Sequence, residues 1–107
     1  MTCTYSRCTR PALEGGELCL MHAPEKNMGA FYTALKEQVK SVGDFNFQGY
    51  VFPGDFSWRV FDVKELVDAD FRETQFKGYA YFGGAQFKGN ASFWEAQFEG
   101  NVSFNGA

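Results

Sequence analysis

From Asp68 onward the apolar positions of this chain recur in blocks of eleven: DADFRETQFKG, YAYFGGAQFKG, NASFWEAQFEG and the opening NVSFNGA of a fourth. Phe stands at 71, 76, 82, 87, 93, 98 and 104, in steps that alternate five and six. Two residues before each Phe comes a small or modest side chain: Ala69, Thr74, Ala80, Ala85, Ala91, Ala96 and Val102. Residues two apart in extended backbone point the same way, so each such pair faces inward together. The positions beside them are polar (Arg72, Gln75, Lys77, Gln86, Lys88, Gln97, Glu99) and face outward. A fixed internal period is the mark of a stacked repeat architecture. Two blocks, about 22 residues, make one coil of four short faces. The pattern therefore predicts that Phe71 stacks on Phe93, Phe76 on Phe98 and Phe82 on Phe104. Gly78, Gly89 and Gly100 are expected at corners that need unusual backbone angles, with Asn90 and Asn101 in the turns after them. A helix is excluded, because steps of five and six run out of phase with its period and each interior Gly costs about 0.5–1 kcal/mol.

Upstream the frame is irregular. Phe56, Phe61 and Leu66 keep five-residue steps, but Arg59 and Lys64 occupy positions that should be small. Phe45, Phe47, Tyr50 and Phe52 mark an irregular first coil. Before them the period changes. Met28, Phe31, Tyr32, Leu35 and Val39 recur at three- and four-residue steps, which predicts one apolar helix face. Asn27 is the expected N-cap, the helix runs to about Ser41, and Gly43 stops it. Its apolar stripe is expected to cover the open end of the coil that follows.

All three cysteines (Cys3, Cys8, Cys19) and the single histidine (His22) fall in the first 22 residues, as C-x4-C-x10-C-x2-H. Three thiols and one imidazole form a closed tetrahedral set for zinc. Pro11 and the Gly15-Gly16 turn let so short a chain double back. The segment is too short to bury a core, and a metal would supply the missing stability. Four protein ligands leave no open coordination position, so the expected role is structural. A disulfide with one thiol spare and a Cys/His nucleophilic pair are the competing readings. Three thiols cannot pair completely, and no acid or amide is placed to orient the imidazole.

Composition adds limits. Apolar residues are 45% of the chain and charged residues 21%, which predicts a folded chain rather than a disordered one. The net charge is −3, all of it arising after residue 44. No basic stripe exists for nucleic-acid backbone, so no direct nucleic-acid binding is expected. No apolar run reaches membrane-spanning length and no signal-peptide core opens the chain, which points to the cytoplasm. No phosphate loop or nucleophile elbow is present. Asp62, Glu65, Asp68, Asp70 and Glu73 cluster near the first coils, where a solvated face is the expected role.

Two resemblances follow. The small–polar–Phe pattern, over roughly residues 45–107, resembles the pentapeptide-repeat family. That resemblance implies a right-handed quadrilateral β-helix. The alternating extra residue departs from strict fives. CTYSRCTRPALEGGELCLMHAP resembles the Cys-rich module that precedes the repeats in some bacterial members; the matching residues are Cys3, Cys8, Pro11, Leu13, Gly15, Cys19 and His22. It implies metal binding at the three cysteines and the histidine. The expected organisation is a zinc module over 1–24, a capping helix over 25–43 and a mainly β solenoid over 44–107. The last coil lacks a cap, which points to a longer chain or to pairing with a second copy, the former favoured. The expected function is a non-enzymatic protein-interaction scaffold for a partner the sequence does not name, with Trp58 and Trp94 as candidate contact residues. The alternatives are mimicry of DNA toward a type II topoisomerase, which some family members show, and a metal or thiol sensor.

Overall fold

The computed structural model describes residues 2–5 and 7–107. Among the described residues, eight two-residue strands follow one α-helix: β1 (Val51–Phe52), β2 (Phe56–Ser57), β3 (Leu66–Val67), β4 (Gln75–Phe76), β5 (Ala80–Tyr81), β6 (Phe87–Lys88), β7 (Gln97–Phe98) and β8 (Val102–Ser103). They pair in parallel as β1-β4-β7, β2-β5-β8 and β3-β6. A fourth ladder consists of single bridges, Asn46 to Asp70 and Asp70 to Ser92. The chain visits these four ladders in the same order each time round. Val51 pairs with Gln75 and Gln75 with Gln97, advances of 24 and then 22 residues.

The interior is a column of rings. Phe71 lies 5.0 Å from Phe93, Phe76 5.0 Å from Phe98 and Phe82 5.1 Å from Phe104, each pair within 7° of parallel. These are the three stacks expected from the spacing. Phe52 extends one stack downward, 4.8 Å from Phe76, and Phe47 another, 4.8 Å from Phe71. Ala69, Ala80 and Ala85 are buried beside them and leave room for the rings. Thr74 is the one polar side chain at an inward position there; its hydroxyl donates to the Phe47 carbonyl at 2.9 Å.

The first coil is longer for a specific reason. Phe56 pairs with Ala80 and Ser57 with Tyr81, so Phe56 occupies a small-residue position and Trp58 comes into register with Phe82. Phe56 was expected at a central position, and the register corrects that. The chain then makes a 3-10 turn over Trp58–Phe61, ended by Asp62 in left-handed conformation. Phe61 folds back to stack on Phe47 at 5.3 Å. Three large rings are thus packed where later coils place one ring and an alanine.

The corners correct a second expectation. Among the three glycines, only Gly89 has positive φ. Gly78 and Gly100 are needed for closeness instead: a Cβ on Gly100 would lie 2.7 Å from the Gly78 carbonyl oxygen, and one on Gly78 2.8 Å from backbone of Gly54 and Asp55. Left-handed corners fall at Gly49, Glu73 and Glu95 in successive turns.

Helix α1 spans Met28–Glu37, with the Asn27 side chain accepting from the Ala30 N–H at 2.9 Å. It is shorter than expected. A π-helical turn follows over Gln38–Val42, and Gly43 ends it at φ 73°. The wider turn coincides with a buried Gln38 that donates to the carbonyls of Asp44 and Asn46 and accepts from Arg10 and the Tyr50 hydroxyl. Phe31, Leu35 and Val39 form the buried stripe, and Phe31 meets Phe52 edge-on at 5.3 Å. Met28 was expected on that stripe but is exposed, lying across Gly54. Among the described residues no helix is long and apolar enough to cross a membrane.

Candidate metal centre

The N-terminal segment is held by few backbone bonds. Thr2 bridges Pro11 in antiparallel fashion, and the Cys3 N–H donates to the Arg10 carbonyl. Tight turns then present each ligand pair: the Cys8 N–H donates to Tyr5, and those of His22 and Ala23 donate to Cys19. Local turns of this kind place side chains together without a core.

The outcome is a cluster in which the ligand atoms of Cys3, Cys8, Cys19 and His22 all lie within 4.8 Å of one another. Cys8 Sγ is 3.8 Å from Cys19 Sγ, and His22 Nδ1 is 3.1 Å from Cys19 Sγ and 3.6 Å from Cys3 Sγ. Sulfurs 2.3 Å from a central zinc in a tetrahedron would be about 3.8 Å apart, so the spacing fits such an ion. The three cysteines are free thiols in this structure.

The histidine is oriented for this role. Its Nε2 lies 3.0 Å from the Gln48 carbonyl, an acceptor that requires the proton on Nε2 and leaves the Nδ1 lone pair facing the sulfurs. Burial holds the imidazole below its ordinary range, which keeps it neutral. Tyr5 stacks on one face at 4.1 Å and 7°, and Tyr50 meets the ring edge-on at 5.3 Å. Burial, with the Cys19 and Cys3 sulfurs also contributing, pushes the Cys8 thiol up to about 11. A bound metal ion would supply the positive charge that lets such a raised thiol ionise.

Side chains of this segment tie it to the coil. His22 reaches the Gln48 carbonyl. The Tyr5 hydroxyl donates to Glu73, one turn higher. Lys26 donates to the carbonyls of Met21 and Val51 at 2.9 and 2.8 Å, with its ammonium 4.1 Å from the centre of the Phe31 ring. The sequence pattern missed Tyr5, Lys26 and Gln48. Tyr5 sits inside the C-x4-C loop, which was a usable signal; the Gln48 contact is through backbone and leaves none.

The two tryptophans part company. Trp58, expected on an interaction surface, is buried, and its indole N–H donates to the Gly83 carbonyl at 2.8 Å. The register with Phe82 turns it inward. Trp94 is 63% exposed. It lies on the outer face where Gln48 and Arg72 occupy the same position in earlier turns. The acidic residues spread out rather than converge: Lys40 holds Asp62 at 2.9 Å, Arg72 holds Asp70 at 2.7 Å, and Asp68 caps the Asn90 N–H.

Residues 68–107 match the family model described as pentapeptide repeats (9 copies). This stretch carries the Phe-centred blocks and the ladders from β4 to β8. No curated protein and no solved structure matches the chain.

Proposed function

We propose that this chain is a non-enzymatic interaction scaffold: a right-handed four-sided β-helix whose first coil is locked by a zinc-bound Cys3His module. The observation that carries the reading is an asymmetry of cover. The N-terminal segment and α1 bury the first coil through His22, Lys26, Phe31 and Leu35, while the outer faces of the following coils stay open. Zinc is the favoured ion because three thiolates and one imidazole suit it, and no carboxylate or open position is offered for chemistry. The residues bound to it would be Cys3, Cys8, Cys19 and His22. The ion would supply charge balance and cross-linking.

A protein partner is the favoured ligand. Trp94 is exposed on the outer face in line with Gln48 and Arg72, and exposed aromatic residues are favoured anchors of interfaces. Replacing Trp94 by Ala should leave stability within about 0.5 kcal/mol, because the side chain is exposed. Immobilised chain should retain a protein from its source cells in proportion to its concentration, and the Trp94→Ala form should lose it. Equal retention by both forms would move the contact off this face. No saturable retention by either would count against the scaffold reading.

A further inference from the structure

Resting on the metal reading above, we infer that Cys8 is an oxidation site: peroxide attacks this sulfur, Cys19 closes a disulfide onto it, and the metal and the N-terminal lock are released together. The three sulfurs are not equivalent. Cys3 and Cys19 are 5% and 1% exposed, whereas Cys8 is only half-buried. Cys8 is also the one cysteine lining an open groove of about 540 Å³, which runs between the N-terminal segment and the first coils. Arg7 and Arg10 line the same groove. They make the groove wall basic, although the Arg10 guanidinium also donates to Gln38 Oε1 at 3.0 Å. Arg7 itself is held at φ 65°, a left-handed conformation that a non-glycine residue adopts at a cost.

The resolving partner is already in place. Cys19 Sγ lies 3.8 Å from Cys8 Sγ, on the buried side away from the groove. In the first step the Cys8 thiolate attacks one peroxide oxygen. An S–O bond forms, the O–O bond breaks, and hydroxide leaves and takes a proton to become water. In the second step the Cys19 thiolate attacks the Cys8 sulfur. An S–S bond forms, the S–O bond breaks, and a second hydroxide leaves as water. Two thiolates, one hydrogen peroxide and two protons thus give one disulfide and two waters. Two of four ligands are then gone, and Cys3 with His22 cannot hold the ion alone.

The consequence reaches the coil through named contacts. The Val51 N–H donates to the Met21 carbonyl, and the Gln48 carbonyl faces His22. Both lose their partner when the segment loosens. The repeat ladders farther along, such as Gln97 N–H to Thr74 and Glu99 N–H to Phe76, do not depend on it.

The test uses the full chain loaded with one zinc and treated with hydrogen peroxide. Zinc appearance is followed with a chromogenic chelator, and the products are mapped after alkylation and trypsin. Arg10 precedes Pro11, so trypsin leaves residues 8–26 as one peptide holding Cys8 and Cys19, with Cys3 in a separate one. The expected result is a loss of two hydrogens from peptide 8–26, an alkylated Cys3, and one zinc released per disulfide. Amide exchange at Val51 should rise while Gln97 and Glu99 stay protected. A disulfide involving Cys3, or zinc retained after Cys8–Cys19 closure, would overturn the inference while leaving the metal reading intact. A chain that takes up no zinc at all would overturn both.

Discussion

Tyr5 lies flat on His22, 4.1 Å between ring centres, and its hydroxyl reaches Glu73 in the second coil. One side chain therefore shields the metal ligand and staples the segment to the repeat. Tyr5 passes directly over Gly49, where a Cβ would collide with the Tyr5 ring.

Gly49 is thus fixed twice, by φ 71° and by the ring above it. Gly49→Ala should cost about 2 kcal/mol or more, from left-handed strain and overpacking together. Gly84→Ala shares the strain, at φ 73°, but has open space around it and should cost about 1 kcal/mol. Urea unfolding of the two variants checks the difference. Equal losses would mean that Tyr5 does not rest there.

Lys26 joins three elements through two carbonyls and a ring face. Lys26→Met keeps the aliphatic stem but strands the Val51 carbonyl, at a cost of about 1–3 kcal/mol. A pH signature accompanies it. Burial pushes the Lys26 ammonium down to about 7 from an ordinary 10.5. Between these values the unfolded chain binds more protons than the folded one, so stability rises with pH across the window. Unfolding measured from pH 7 to 10 should show that rise in the parent chain and a flatter curve in Lys26→Met.

Position along the stack decides what a ring is worth. Phe76 is fully buried between Phe52 and Phe98, and Phe76→Ala should cost about 3–5 kcal/mol. Phe104 is 41% exposed, stacks on Phe82 on one side only and meets Phe93 edge-on at 5.5 Å, so Phe104→Ala should cost about 1–2 kcal/mol. Thermal unfolding orders the pair.

The stacking of the later coils was legible in the sequence because one residue type marks the period. The four ligand atoms were legible because Cys and His are rare enough for their crowding to stand out. Trp58 was misread for the opposite reason. Its coil is lengthened by the 3-10 turn, and with two more residues than the next coil its register cannot be counted from spacing. Gly78 and Gly100 were misread because a sequence shows that glycine is present, not whether an angle or a close backbone demands it. Lys26 and Gln38 act through partners distant in sequence, which no local pattern reveals.

The proposed metal would join the N-terminal segment to the coil. The most direct measurement is zinc per chain by elemental analysis, on protein purified under reducing conditions without added metal, with unfolding recorded before and after chelation. The expected result is one zinc per chain and, on its removal, loss of the His22 and Tyr5 contacts while the Phe-stacked coils stay folded. A chain that folds fully without metal, with three freely titrating thiols and no change on adding zinc, would contradict it.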